Sequence, residues 1–197
     1  MEAIWRKCLS AGFWHLTANG PKAMADFEIR EGSQADSDAI DSLYTQAFPD
    51  EDLLPLVREL AQNRVTTISL AAVIDGQIVG HAIFTRCGLD GSDASAALLG
   101  PGAVAPAWQR QGIGSALIRF GIQLLKDENV ALVYVLGDPA YYGRLGFVPE
   151  SLVEPPFQLP REWAEAWQSL CLDSVVTPIA GKLIVPPPWM QPALWAP

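Results

Sequence analysis

Between Ala96 and Leu136 the chain runs strand, glycine turn, helix, strand, and this order restricts the fold more than any other feature. Ala96 to Val104 is an apolar stretch interrupted by Gly100-Pro101-Gly102. Gly112 to Lys126 carries Ile113, Leu117, Phe120 and Leu124 at helical spacing, which predicts a buried stripe. Val130 to Leu136 is a continuous apolar run without alternation, as expected of a central strand covered on both faces. A helix between two strands of one sheet makes a crossover, so these two strands should be parallel.

Everything upstream predicts antiparallel pairing. Ala25 to Arg30 alternates like a first strand, and Asp36 or Ser37 can cap a helix whose apolar positions are Ile40, Leu43, Tyr44 and Ala47. A second helix fits Glu51 to Asn63, with Pro55 near its first turn, where a missing N–H does little harm. Thr67 to Val73 and Val79 to Thr85 are strands joined at Asp75-Gly76, and Gly91-Ser92 marks the next turn. The fold class is therefore α+β: a mixed, mostly antiparallel sheet with one splayed parallel strand pair, flanked by helices. A length of 197 residues suits one such unit and hardly two.

The two ends differ from this middle. Met1 to Lys22 show no periodicity, so residues 1–23 are expected to be an extension outside the fold, with Met24 the natural domain start. A start codon placed too early and a real appendage both explain such a stretch. The core runs over 24–150. From Pro149 onward come ten of the 16 prolines and four of the seven tryptophans, so 151–197 is a Pro/Trp-rich part completing the same domain. Its expected elements are a helix near Arg161 to Leu170 and a strand at Gly181 to Val185.

Composition excludes several functions. A formal charge of −9 repels phosphate backbones, so nucleic acid is not an expected partner. No apolar run approaches the ~20 residues that span a bilayer, and the N-terminus lacks the apolar centre of a signal peptide. Cys8, Cys87 and Cys171 are scattered, without metal-ligand spacing, which predicts no metal and free thiols in a reducing, cytoplasmic setting.

The chemistry concentrates at three places. Gln109-Arg110-Gln111-Gly112-Ile113-Gly114 lies where a strand ends and a helix begins, and the unpaired first-turn N–H groups with the helix dipole suit a pyrophosphate. It is not a dinucleotide fingerprint, because Leu117 occupies the third glycine position. Pro101 cannot donate to a ladder and predicts a bulge that frees backbone groups of Gly102 to Val104 for an extended, amide-containing ligand. Gly137 to Phe147, with Tyr141 and Tyr142, follows the parallel strand at its C-terminal end, where open sheets bind ligands.

The strand Leu98 to Pro106, the Gln109-x-x-Gly112-x-Gly114 signature and the segment Tyr142 to Phe147 resemble the GNAT N-acetyltransferase superfamily over roughly Phe27 to Glu150. Val79 to Phe84 and Asp138 to Tyr142 further resemble its YhbS-like branch. The resemblance implies an enzyme that moves an acetyl group from acetyl-CoA to an amine. Amides of Gln109, Arg110, Gln111, Gly112, Ile113, Gly114 and Ser115 would hold the CoA pyrophosphate, with Arg110 adding charge. Ala103 and Val104 would pair with pantetheine beside Gly102, and the Val104 amide would polarise the thioester carbonyl. Tyr142 stands at the general-acid position, and Tyr141 is expected to pack.

The acceptor is less defined. The fourth strand lacks the Glu that many family members use as base, so Asp50, Glu51, Asp52 and His81 are the candidates. Each has an ordinary structural alternative, as helix-terminus charges or a packed strand histidine. A small-molecule primary amine is the expected acceptor. A protein N-terminus or lysine is the alternative, and a non-catalytic acyl-CoA sensor using the Trp/Pro-rich tail is a different class. The oligomeric state stays open, a homodimer included.

Overall fold

Glycine turns set up the antiparallel half of the sheet. In the computed structural model, which describes residues 26–173 and 179–195, β1 (Glu28–Glu31) is followed by α1 (Ser37–Ala47) and α2 (Leu54–Gln62). β2 (Thr67–Ile74) then pairs with β1 and with β3 (Gln77–Leu89). Asp75 (φ 49°) and Gly76 (φ 77°) form their two-residue turn, the mirror-image geometry that matches strand twist. β4 (Ser92–Val104) returns beside β3, α3 (Ile113–Asp127) crosses over, and β5 (Leu132–Leu136) lies parallel to β4. After α4 (Pro139–Tyr142) come β6 (Val148–Pro149), β7 (Val153–Glu154), β8 (Trp167–Cys171) and β9 (Gly181–Ile184). The sheet order is β1-β2-β3-β4-β5-β8-β6, with β9 on the end of β3 and on β7. The short β7–β9 contact is also parallel.

Both faces of this sheet are covered, and β5 shows it residue by residue. Val133 and Val135 face the layer of α3, with Ile113, Leu117, Ile118, Ile122 and Leu125. Leu132, Tyr134 and Leu136 face the layer of α1, α2 and the tail. Period-two alternation between two apolar layers is what an uninterrupted apolar strand encodes. The tail layer holds Trp163, Trp167, Trp189 and Trp195, all nearly fully buried. Three of their indole N–H groups find partners: Trp167 on Val153 O (2.7 Å), Trp189 on Thr85 Oγ1 (3.0 Å) and Trp195 on Trp189 O (2.9 Å). Truncating any one of them would cost about 3–5 kcal/mol.

Three expectations are corrected. Phe120 is 41% exposed and Leu124 only half-buried, because α3 turns Gly121 inward. A Cβ on Gly121 would lie 2.1 Å from Cε2 of Phe84, so the ring of β3 fills the space the glycine leaves. The helix expected over Arg161 to Leu170 is a 3-10 segment only to Ala166, and Trp167–Cys171 is the strand β8. The outer edge of buried β5 needs hydrogen-bond partners, and β8 supplies them from Leu132↔Cys171 to Leu136↔Trp167. α2 begins at Leu54, so Asp50, Glu51 and Asp52 lie in the loop before it, where Asp52 Oδ1 accepts the Leu54 N–H at 3.2 Å. Asp36 is the N-cap residue of α1, one of the two positions expected, but its side chain makes no cap bond; its carboxylate takes a fork from Arg30 (2.7 and 2.8 Å) and bonds from Ser33. That guanidinium holds the Asp36 carboxyl far below the usual carboxylate range.

Cys87 and Cys171 are free thiols, and burial pushes the Cys87 thiol up to about 12. No helix among the described residues is long and apolar enough to cross a membrane. Cys8 and the proposed extension over 1–23 lie outside the described residues.

Candidate active site

β4 and β5 stay paired only as far as Leu99↔Val135. Beyond that point each strand bonds its outer neighbour. Ala82↔Gly102, His81↔Ala103 and Gly80↔Val104 hold β4 to β3, while Leu136↔Trp167 and the Gly137 N–H on Ala166 O hold β5 to β8. The cause is a bulge. The β3 register jumps between Ala82 and Phe84, so Ile83 spans both Gly100 and Pro101, and proline has no N–H to offer. Two parallel strands therefore diverge and open a gap at their C-terminal ends.

Backbone direction in the gap follows from one bond. The Ala105 N–H donates to Val79 O at 2.9 Å, so ladder alternation turns the Ala103 N–H to β3 and the N–H groups of Gly102 and Val104 toward the gap. Of the three strand positions singled out from sequence, Ala103 thus faces the other way. Its side chain is buried in the tail layer.

The loop after β4 shapes the second part. A 3-10 turn at Pro106–Trp108 leads to Gln109, whose Nε2 donates to Val104 O (3.1 Å), and Gln111 Nε2 donates to Ala107 O (3.2 Å). Arg110 (φ 61°) and Gly112 (φ 86°) are left-handed, and Arg110 is exposed. The first α-helical bond is Ala116 N–H on Gly112 O at 2.9 Å, so the amides of Gly112, Ile113, Gly114 and Ser115 have no intrahelical partner. A Cβ on Gly112 would meet nothing within 4 Å, so this end opens outward. Gly114 instead makes room for a neighbour, since a Cβ there would lie 2.8 Å from the Tyr141 hydroxyl, which the Ser115 Oγ approaches at 3.4 Å. The Arg144 guanidinium sits over the Tyr141 ring at 5.6 Å, and burial raises the Tyr141 pKa.

Tyr142 packs at the end of β5, on one side of the gap. Asp138 Oδ1 caps the short α4 through the Ala140 N–H (2.8 Å), and Pro139 presets its first turn. The Tyr142 ring lies over Gly137, where a Cβ would come within 2.2 Å of its Cε2, and edge-on to Phe147 at 5.6 Å. Gln168 Nε2 donates to Gly137 O (3.1 Å), so β8 fixes the turn from which α4 starts.

On the tail face of the sheet, a cleft of about 420 Å3 is lined by Tyr44, Phe48, Asp50, Glu51, Asp52 and Leu54, among others. Tyr44 joins it to the strand bulge, because its hydroxyl donates to Pro101 O at 3.0 Å. The same hydroxyl meets His81 Nδ1 at 3.1 Å, and His81 Nε2 meets Ser69 Oγ at 2.8 Å. His81 is 1% exposed, and burial lowers its pKa to about 4. It is a neutral, bonded histidine within the sheet and not an open base. Tyr44 and Gln168 escape sequence inspection: one is a helical apolar position, the other a tail polar residue, and no spacing signals either.

A parallel pair splayed by a bulge, opening onto a helix start with free amides, defines an acyl-CoA-dependent transferase of the GNAT class. The chain belongs to the acetyltransferase (GNAT) family, whose pattern matches residues 37–147. It is 32% identical over 164 residues to the uncharacterized N-acetyltransferase YjhQ of Escherichia coli K12, covering 80% of this chain and 91% of that protein. Identity to the E. coli K12 protein YhbS, also an uncharacterized N-acetyltransferase, is 32% over 120 residues, or 60% and 72% of the two chains. The crystal structure of E. coli YhbS in complex with CoA superposes with a TM-score of 0.74 at 25% identity, covering 88% of this chain and 97% of that one. A GNAT acetyltransferase from Brucella melitensis in complex with acetyl-CoA gives 0.68 at 26% identity, covering 84% and 99%.

Proposed function

We propose that this N-acetyltransferase moves the acetyl group of acetyl-CoA onto a primary amine of a small molecule. The observation that carries the reading is the gap between Gly102–Val104 and Gly137, bordered at Gly137 by the ring of Tyr142 and continued by the free amides of α3. The Gly112 to Ser115 amides and the helix dipole would take the pyrophosphate, with Arg110 and Gln109 to Gln111 shaping the approach. Gly102 and Val104 would pair with the pantetheine and thioester as a strand neighbour would, while Ala103 keeps β4 on β3. The part from 151 onward completes the unit by supplying β8 to the edge of β5.

The acceptor enters from the cleft beside Tyr44. Asp50, Glu51 and Asp52 favour a cationic amine there, but attack requires its neutral form. An amine with pKa near ~10.4 costs roughly 4–5 kcal/mol to deprotonate at neutral pH, and one near ~8 only about 1–1.5 kcal/mol. The cleft carboxylates, directly or through water, are the groups placed to accept that proton. Amine attack on the thioester carbonyl gives a tetrahedral oxyanion facing the β4 amides. Collapse breaks the C–S bond, Tyr142 protonates the leaving thiolate in a mildly uphill transfer, and the surplus proton of the amine nitrogen passes to the Tyr142 oxygen, leaving a neutral amide and a neutral tyrosine.

The test is Tyr142→Phe, read by thiol release with an amine found by screening and by calorimetric binding of acetyl-CoA. Turnover should fall by roughly 10²–10⁴-fold at nearly unchanged affinity. Equal turnover removes Tyr142 from the mechanism. Tight binding with no wild-type turnover on any amine, peptide N-termini and polyamines included, would make the protein an acyl-CoA sensor.

A further inference from the structure

We propose that Tyr44 and His81 are positioning residues of the acyl-transfer site: a buried chain of hydrogen bonds from Ser69 through them sets the Pro101–Gly102 peptide that presents its N–H to the thioester. This rests on the placement of acetyl-CoA in the gap between β4 and β5, with its phosphates at the α3 amides, its pantetheine passing Val104 and its acyl end at Gly102, nearer the point where the strands part.

The direction of the chain follows by elimination. Tyr44 has one hydroxyl proton, and the Pro101 carbonyl can only accept, so that proton lies on Pro101 O (3.0 Å). The Tyr44 oxygen must then accept at its 3.1 Å contact, which places the imidazole proton on Nδ1 of His81. Nε2 is left as acceptor for the Ser69 hydroxyl at 2.8 Å. Each of the three links uses one donor and one acceptor, and a neutral imidazole satisfies both ends. The lowered pKa of His81 agrees with that state.

The chain ends where the chemistry needs it. Pro101 O and Gly102 N–H belong to one peptide group, and in a trans peptide they point in opposite directions. The carbonyl turns to Tyr44 while the N–H turns to the gap. A donor on the carbonyl polarises the peptide and strengthens its N–H, and the effect passes along a chain of such bonds in a dry interior. Burial supports this: Tyr44 and His81 are each 1% exposed. The bulge makes the support necessary, because the register jump leaves Gly100 and Pro101 without regular ladder partners on β3. The three residues come from α1, β2 and β3, so the strand that receives the acyl donor is braced by the layer that lines the acceptor cleft.

The experiment uses the full chain with Tyr44→Phe, His81→Leu and His81→Asn, the last of which keeps a donor at the Nδ1 position. Acetyl-CoA carrying 13C at the thioester carbonyl is bound, and its C=O stretch is read by difference infrared spectroscopy. In the wild type the band should move to lower frequency than in free acetyl-CoA. Tyr44→Phe and His81→Leu should lose part of that shift, and His81→Asn should restore it. Turnover should follow the same order, with kcat down about tenfold in the first two and KM for acetyl-CoA nearly unchanged. Folding is checked by the acetyl-CoA-induced rise in Tm. An identical band in wild type and a folded Tyr44→Phe overturns the relay while leaving the site in place. A wild type that binds no acetyl-CoA overturns the placement of the donor, and the relay with it.

Discussion

Gly137→Ala should disable catalysis by displacing the ring of Tyr142. The backbone of Gly137 is pinned on both sides, by its N–H on Ala166 O (2.9 Å) and by Gln168 on its carbonyl (3.1 Å). A methyl group added there would lie 2.2 Å from Cε2 and 2.9 Å from Cδ2 of Tyr142. Carbon atoms rest at about 3.5 Å or more, so the ring has to withdraw by roughly 1 Å or swing to another rotamer. Since the ring is half-buried at the edge of the α3 layer, it gives way more easily than the pinned strand end. A displacement of roughly 1 Å at a reacting group costs about 10²-fold in rate. Stability should change little, and acetyl-CoA affinity, which the proposed placement assigns to β4 and α3, should hold. The assay is thiol release beside calorimetry, run also in the Tyr142→Phe background. There the hydroxyl is already absent, so adding Gly137→Ala should cost almost nothing more. Wild-type turnover in Gly137→Ala, or two losses that simply multiply, would refute the coupling of Gly137 to the general acid.

Two further outcomes follow from the same geometry. Gly112→Glu should abolish the acetyl-CoA-induced rise in Tm, because a carboxylate would stand at the open end of the free amides; an undiminished shift would place the phosphates elsewhere. Stability should also fall as the medium is acidified from about pH 6.5 to 4. His81 titrates near 6.5 in the unfolded chain but only at about 4 when folded, so the unfolded state takes up the proton first. This penalty amounts to about 3 kcal/mol across that window, and urea melts of wild type and His81→Asn at both ends should differ accordingly; parallel curves would refute it.

The local elements of this protein are written in its sequence because each depends on neighbours in the chain. Asp75-Gly76 makes its turn from two residues that tolerate positive φ, Asp138-Pro139 starts α4, and the apolar run ending at Leu136 becomes a doubly covered strand. The crossover from β4 to β5 follows from order alone, and with it the place of the gap between them and of the amides at Gly112 to Ser115. What the sequence could not express is set by contacts between distant segments. Trp163, Ala166, Trp167 and Leu170 have helical spacing, yet the open edge of β5 draws Trp167–Cys171 into a strand because buried backbone groups must be paired. Phe120 faces out because Phe84, far away in the chain, needs the space over Gly121. Ala103 separates from Gly102 and Val104 only once the β3 register is known. The bonds from Ser69 to His81, Tyr44 and Pro101 join residues from four elements, so no window of sequence contains them. Propensity and spacing act within a few residues, whereas packing and hydrogen-bond satisfaction act across the whole core, and it is the latter that turned a recognisable motif into a site.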